Sequence, residues 1–260
     1  TVTTLAGSHT GGGTCGTMSG LSFCNDGIGN QAEFFTPRGI TVRPTSGSFR
    51  IFVADKNNHR IRKIDPTTGN VTTAAGGFMG DGDCGGVASP TCNDKPNTPQ
   101  TGDEARFYFP EDVAYNGGWI YIADSGNHRV RRLDGGTGDD ITVAGISSFN
   151  PTLPPPPHPG GYADGNARTE AKFKTPMGVA AAGGINKIYV TDRDNHLIRL
   201  LDFTVQPSQV TTIAASPGIS GNADDHLNYE CGVSSGANPC QCSLCGNGVQ
   251  EGDEQCDDGN

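Results

Sequence analysis

One segment of the chain recurs three times, and this repeat constrains the fold more than any other feature of the sequence. The copies read IFVADKNNHRIRKID from Ile51, IYIADSGNHRVRRLD from Ile120 and IYVTDRDNHLIRLLD from Ile188. Their central histidines, His59, His128 and His196, stand 69 and 68 residues apart. A fixed period predicts a row of similar units, in which each unit buries its apolar face against its neighbours.

Each unit contains four short β-runs separated by turn residues. A Phe-Pro element precedes the repeated segment (FFTPRGITV, FYFPEDVAY and FKTPMGVAA), and a further run follows it (NVTTAAG, DITVAG and QVTTIAA). The 39 Gly and 17 Pro among 260 residues exclude a helical bundle. We therefore predict an all-β fold of four-stranded units, with repeats at about 34–76, 107–145 and 173–215.

These segments resemble NHL repeats, whose hallmark is an Asn-His-Leu-like triplet. The triplet reads Asn58-His59-Arg60, Asn127-His128-Arg129 and Asn195-His196-Leu197. The resemblance covers about residues 1–215 and implies a β-propeller of four-stranded blades. Small residues such as Ala114, Ala180 and Ala181 suit the innermost strands, which are crowded near a propeller's axis.

Two polar positions recur with the blade. Asp55, Asp124 and Asp192 end the second strand, and each is followed two or three residues later by an Asn, a residue that tolerates the left-handed conformations of a tight hairpin. A catalytic residue is normally unique, whereas His59, His128 and His196 recur. We therefore predict that these histidines are structural and bond across their own hairpins.

The chain opens on VTTLAG at Val2, a fourth copy of the unit's final strand. We predict a strand over residues 2–7 that belongs to a preceding or closing blade. Closure takes roughly four to eight blades, so further blades, a second chain or an open stack must complete the array. An open sheet edge is a template for pairing, which predicts self-association.

The third repeat is less charged than the first two. Leu197 stands at the position of Arg60 and Arg129, and Leu200 at that of Lys63 and Arg132. We expect the next blade or the C-terminal tail to cover this strand.

The charge balance disfavours some partners. Eighteen Lys and Arg against 28 Asp and Glu give a net charge of −10, which repels phosphate backbones. No apolar stretch is long enough to span a bilayer. We expect no nucleic-acid partner and no direct membrane insertion of this segment.

The cysteines lie in loops rich in Gly, Asn and Asp, which is typical of secreted, disulfide-bonded proteins. The disulfide candidates are Cys15, Cys24, Cys84, Cys92, Cys231, Cys240, Cys242, Cys245 and Cys256. Short, Gly-rich loops favour the pairs Cys15 with Cys24 and Cys84 with Cys92. The pairing of the remaining five stays open.

Residues 216–260 are predicted to form a separate, disulfide-rich module, because their few apolar residues cannot build a core. The stretch CGNGVQEGDEQCDDGN from Cys245 resembles the DUF4215 or myxobacterial-type disulfide repeat of large extracellular proteins. The resemblance implies that only the first half of that repeat is present. Zinc binding by Cys240, Cys242, Cys245 and Cys256 is a weaker alternative, since an oxidising setting favours disulfides.

Two features suggest glycosylation. Pro154, Pro155, Pro156 and Pro157 predict a stiff polyproline segment, which resembles the hydroxyproline-rich, O-glycosylated tracts of plant and algal wall glycoproteins. A plain rigid loop is the alternative. Asn70-Val71-Thr72 is an N-glycosylation sequon, so Asn70 is a candidate acceptor.

The sequence has no recognised catalytic motif: no G-x-S-x-G elbow, no H-E-x-x-H pair and no phosphate-binding glycine loop. We predict no catalytic residue and no cofactor. Calcium is a weak possibility at Asp81-Gly82-Asp83, Asp224-Asp225 and Asp257-Asp258-Gly259-Asn260, where turn chemistry is the simpler interpretation.

These patterns favour a non-enzymatic scaffold or interaction module of a secreted glycoprotein, at the cell surface or outside the cell, in adhesion, a cell coat or a surface filament. Its expected partners are copies of itself or other extracellular proteins, with glycans attached covalently. The alternatives are a metal-containing propeller enzyme (a lyase or hydrolase), a ligand-binding NHL module, and an intracellular module that binds RNA or protein. The lyase reading requires inward-facing His residues, which the inner runs GITV, DVAY and GVAA lack.

Overall fold

The computed structural model describes residues 2–8, 16–18, 21–23, 25–76, 105, 107–136, 140–145, 160–182 and 186–215. The chain divides into two units, Thr1–Ile219 and Ser220–Asn260. The second unit lies outside the described residues, as do the nine cysteines, Pro154 to Pro157 and the three candidate calcium loops.

In the described residues, three antiparallel sheets, here called blades 1 to 3, follow a hairpin of β1 (Gly16–Met18) and β2 (Leu21–Phe23). Blade 1 contains β3 (Gly27–Ile28), β4 (Pro37–Thr45), β5 (Ser48–Asp55), β6 (Arg60–Ile64) and β7 (Asn70–Ala75). Blade 2 contains β8 (Pro110–Asn116), β9 (Trp119–Asp124), β10 (Arg129–Asp134) and β11 (Asp140–Ala144). Blade 3 contains β12 (Gly165–Asn166), β13 (Pro176–Ala181), β14 (Lys187–Asp192), β15 (Leu197–Asp202) and β16 (Gln209–Ala214). The all-β prediction is confirmed.

The four repeat strands have the same order in all three blades, and blades 1 and 3 carry one further short strand at the outer edge. The order runs β3-β7-β6-β5-β4, then β11-β10-β9-β8, then β12-β16-β15-β14-β13. The strand after each Phe-Pro element therefore lies at one edge, and the last strand of each repeat lies on the far side. These edge strands β4, β8 and β13 contact one another from blade to blade, and they carry Ala114, Ala180 and Ala181.

Short 3-10 turns connect the second and third strands of each blade, at Lys56–Asn58, Ser125–Asn127 and Arg193–Asn195. A further 3-10 turn, Gly29–Gln31, follows β3.

The outermost strands β3 and β12 were not predicted. Each pairs only two residues with the last strand of its blade, as in Gly27 with Val71 and Ile28 with Asn70. Two residues are too few to produce the alternation that identifies a strand in a sequence.

The prediction of a strand over residues 2–7 is wrong for this structure. The described residues 2–8 form no strand. The segment lies beside blade 1 instead: the Gly7 N–H donates to the Gly29 carbonyl at 3.0 Å, and Ala6 packs against that blade's apolar cluster. A strand needs a ladder of backbone partners, and the bond from Gly7 to Gly29 alone does not make a ladder.

Most of the apolar core lies between blades. The first inter-blade cluster joins Phe52, Ala54, Ile61 and Ala75 of blade 1 to Phe107, Val113, Ile120, Ile122 and Leu133 of blade 2. The second joins Tyr121, Ala123, Val130 and Ala144 of blade 2 to Phe173, Val179, Ile188, Val190 and Leu201 of blade 3. Blade 2 therefore has two apolar faces, one packed against blade 1 and one packed against blade 3.

Over the described part of the chain, no helix has the length and hydropathy of a membrane-spanning segment.

Candidate functional site: the joints between blades

A buried carboxylate organises the turn at the end of the second strand in each blade. In blade 3, Asp192 is fully buried, and its Oδ2 accepts hydrogen bonds from Arg199 Nη1 at 2.8 Å and Asn195 Nδ2 at 2.8 Å. Its Oδ1 accepts from the Lys174 N–H at 2.7 Å. Because both carboxylate oxygens are engaged within the blade, the aspartate holds the turn and the segment before β13 together.

The same arrangement recurs in blades 1 and 2. Asp55 accepts from Arg62 Nη1 at 2.9 Å and from Asn58 Nδ2 at 2.8 Å. Asp124 accepts from Asn127 at 2.8 Å and lies 3.4 Å from Arg131 Nη1. The recurrence of these contacts indicates that the repeat encodes a polar core.

The buried arginines of blades 1 and 3 each bind a second aspartate. Arg62 Nη2 lies 2.7 Å from Asp26, and Arg199 Nη2 lies 2.6 Å from Asp164. These aspartates precede β3 and β12, and each also accepts the backbone N–H of a threonine in the last strand of its blade, Thr73 or Thr212. This ion-pair network was missed by the sequence reasoning, although the recurring arginine and the Asp-Gly pairs at 26–27 and 164–165 are visible in the sequence.

Burial dominates the electrostatics of this network. Loss of solvent raises the pKa of Asp55 and Asp192 and raises the pKa of Asp124 to about 6, against the opposing effect of the Asn and Arg partners. Burying a charge is costly, so removal of either the aspartate or the arginine would leave its partner buried without a compensating charge.

The histidines at the end of each turn have left-handed backbone conformations. Their φ angles are 53° at His59, 56° at His128 and 59° at His196. The left-handed position falls on the histidine rather than on the Asn before it. Asn58, Asn127 and Asn195 belong to the 3-10 turns and use their side chains to bond the aspartates.

The histidine rings contact the next blade. His59 Nδ1 accepts a hydrogen bond from the Phe109 N–H at 3.0 Å, and His128 Nδ1 accepts one from the Thr175 N–H at 2.9 Å. The expected bond across the hairpin is thus replaced by a bond between blades, because the left-handed turn directs the ring away from its own sheet. Burial lowers the pKa of His59 to about 4, which keeps its acceptor nitrogen unprotonated.

Several other contacts cross the joints. Lys56 of blade 1 lies 2.6 Å from Glu111 of blade 2, and the Tyr115 N–H donates to Thr41 Oγ1 at 3.1 Å. The Val179 N–H of blade 3 donates to Asp112 Oδ2 at 3.0 Å. Each joint therefore combines an apolar cluster with hydrogen bonds that set the register between blades.

Blade 3 presents its outgoing face without a following blade among the described residues. Ile198, the counterpart of Ile61 and Val130, is 37% exposed, whereas those two are 0% exposed. The His196 ring is exposed, and within the described residues no hydrogen bond to it is formed. We call the surface of Tyr189, Thr191, Ile198, Leu200 and Ala214 the blade 3 face.

Blade 1 presents the complementary face. Ile40, the counterpart of Val113 and Val179, is 64% exposed, against 3% and 6% for those residues. Thr36 shares the left-handed conformation of Phe109 and Thr175, and among the described residues its N–H has no hydrogen-bond acceptor. We call the surface of Phe34, Thr36, Ile40 and Val42 the blade 1 face.

Within the described residues, no group of three or more His, Cys, Asp or Glu side chains is arranged to hold a metal ion. Asn70, the candidate glycosylation acceptor, begins β7 and is exposed.

Comparison with known proteins identifies part of the repeat. Residues 107–133, which include β8 and β9, match the NHL repeat family model. The chain is 24% identical over 200 residues to NHL repeat-containing protein 2 of Bos taurus, covering 74% of this chain and 24% of that protein. It is 27% identical over 198 residues to Protein SUPPRESSOR OF QUENCHING 1, chloroplastic, of Arabidopsis thaliana, covering 73% and 16%. The chain thus spans about a quarter or less of the length of these relatives.

Among solved structures, an auxiliary nutrient binding protein from Bacteroides thetaiotaomicron aligns with a TM-score of 0.46 and 21% identity, over 66% of this chain and 37% of that one. The resemblance stated from the sequence is confirmed for the family match: the chain carries an NHL repeat at residues 107–133, in the middle of three antiparallel blades of one design.

Proposed function

We propose that the chain is a non-enzymatic scaffold or interaction module whose blade faces make protein contacts. The observation that carries the proposal is the blade 3 face, where Ile198 is exposed at a position that is fully buried in both preceding blades. An apolar surface of this kind is typical of a protein interface. The recurring carboxylates support the same conclusion, because they are occupied by internal bonds.

We further propose that this scaffold belongs to a secreted, disulfide-bonded glycoprotein. The cysteines stand in stretches of sequence rich in Gly, Asn and Asp, which supports an oxidising compartment. Asn70 is exposed and therefore accessible to glycosylation. Adhesion, a cell coat or a surface filament are the settings in which such a module would act, with copies of itself or other extracellular proteins as partners.

Elemental analysis of the purified full chain separates the scaffold from a metal-containing propeller enzyme. We expect no stoichiometric transition metal after passage over a chelating resin. One tightly held metal ion per chain would overturn the proposal in favour of the enzyme. Chemical cross-linking of material from its natural source adds a positive readout, since cross-links from partner proteins should map to Lys187 beside the blade 3 face.

Intact-mass measurement tests secretion. With alkylation of the unreduced protein, most of the nine cysteines should stay unmodified, and reduction should make all nine reactive. Treatment with an N-glycosidase should release mass from protein made in a secretory host, and Asn70→Gln should abolish that release. Full alkylation without reductant would contradict an extracellular location.

A further inference from the structure

We infer that the blade 3 face of one copy of this chain binds the blade 1 face of a second copy, with His196 Nδ1 accepting a hydrogen bond from the Thr36 N–H. This inference rests on the proposed function and names the partner that the open faces take.

The two internal joints provide the template for this contact. In each joint a left-handed histidine at the end of one blade's turn accepts the N–H of a left-handed residue in the next blade, at 3.0 Å for His59 with Phe109 and 2.9 Å for His128 with Thr175. His196 and Thr36 are the third members of these two series, with φ angles of 59° and 58°. In the single chain, both residues therefore already have the left-handed backbone conformation that their counterparts have in the two internal joints.

The apolar surfaces are complementary in the same way. Tyr189 and Ile198 stand where Tyr121 and Val130 pack against blade 3, and Ile40 stands where Val113 and Val179 pack against the preceding blade. At the position of Lys63 and Arg132 the blade 3 face carries Leu200, which removes a charge from the surface to be buried. Burial of these exposed side chains supplies the driving force for association.

The contact is heterologous, because it uses a different face on each copy. Heterologous contacts form rings when the rotation closes and open polymers when it does not. Two copies of the three described blades make six, which lies within the roughly four to eight blades that close a propeller. A dimeric ring leaves neither face uncovered, so we expect the dimer.

The segment of residues 2–7 competes with this partner. Its Gly7 N–H bonds to the Gly29 carbonyl at 3.0 Å, just as the Gly145 N–H at the end of β11 bonds to the Ala167 carbonyl at 2.9 Å in the next blade. The sequence VTTLAG thus occupies, on blade 1, the place that VTTIAA at residues 210–215 of the second copy would take. Release of residues 2–7 must accompany association, and their removal should strengthen it.

Analytical ultracentrifugation of the full chain and its variants tests the inference. Wild type should form a dimer, whereas Ile198→Asp and Ile40→Asp should each be monomeric. An equimolar mixture of these two variants should regain a dimer, because each retains the face that the other has lost. Val205→Asp, at an exposed apolar residue outside both faces, is the matched control and should dimerise like wild type.

Two further variants test the hydrogen bond and the competing segment. His196→Ala should weaken dimerisation at least about fivefold without changing the melting temperature of the monomer, since one hydrogen bond contributes roughly 1 kcal/mol. Deletion of residues 1–7 should lower the dimer dissociation constant. Circular dichroism checks that all variants fold.

Three results would overturn the inference. The wild-type chain could stay monomeric at millimolar concentration, or the mixture of Ile198→Asp and Ile40→Asp could fail to associate. Ile40→Asp alone could also dimerise like wild type, which would indicate a contact between two blade 3 faces. The first result, combined with cross-links from other proteins to the blade 3 face, would leave the scaffold proposal standing while excluding a second copy as its partner.

Discussion

The Nδ1 atom of His59 accepts a hydrogen bond from the backbone N–H of Phe109, 50 residues later in the chain, at 3.0 Å. The His59 ring also stacks against Tyr108, with ring centroids 5.4 Å apart. One side chain thereby joins blade 1 to blade 2. The repeat places an equivalent histidine after the 3-10 turn of each described blade, so the bond can form wherever another blade packs against that turn.

His59→Ala should destabilise the chain by about 1–3 kcal/mol, because it leaves the Phe109 N–H without its acceptor. His196→Ala is a matched control: its backbone has nearly the same φ, but its ring is exposed, so the change should stay within about 0.5 kcal/mol for the monomer. Urea unfolding measures both, at a concentration where the chain is monomeric. Equal losses for the two variants would show that the left-handed backbone, rather than the joint, explains the cost.

The joint at His59 should weaken in acid. The pKa of His59 is lowered to about 4 in the folded state, from an ordinary value of 6.5. The unfolded chain therefore binds a proton more readily than the folded chain, so the contribution of His59 to stability is present above pH 6.5 and is lost as the pH falls to about 4. The free energy of unfolding should fall more for wild type than for His59→Ala between pH 7.5 and 4.5, because other titrating groups are common to both proteins. Parallel pH profiles would contradict this assignment.

Asp192→Ala should cost about 3–5 kcal/mol, because it leaves the buried Arg199 guanidinium without one of its two carboxylates. Lys187→Ala removes a partly exposed ion pair with Asp202 and should cost less than about 1 kcal/mol. Thermal unfolding of the two variants beside wild type gives the comparison. A small loss for Asp192→Ala would mean that Asp164 alone can neutralise the arginine.

Gly39→Ala should disturb the joint between blades 1 and 2. A Cβ atom at residue 39 would lie 2.5 Å from Asp112 Cα in the next blade, so backbone must move. We expect a loss of about 1–3 kcal/mol, as for other overpacked sites. Gly161→Ala is the control, since its Cβ would meet only the flexible Lys172 side chain at 3.4 Å. Equal unfolding midpoints for the two variants would show that the close approach of β4 to β8 at Gly39 does not limit the packing of blade 1 against blade 2.

Much of the repeat could be predicted from sequence because it is a local property. Alternating apolar residues and turn residues identify the strands, and recurrence identifies the aspartates and histidines as structural positions. The two-residue strands β3 and β12 and the partners of Arg62 and Arg199 could not be predicted in this way. Asp26 lies 36 residues before Arg62, and only the folding of the blade brings the two side chains within 2.7 Å.

The sequence by itself determined that the described part of this chain folds into three like blades, because strand periodicity and turn chemistry depend on neighbouring residues. Tertiary structure decided which way each histidine points and what becomes of residues 2–7. The ring of His59 bonds to the next blade because a left-handed turn directs it there, and residues 2–7 form no strand because backbone pairing requires a neighbour. Both outcomes depend on which surfaces meet, and that is a property of the assembled blades rather than of any one segment.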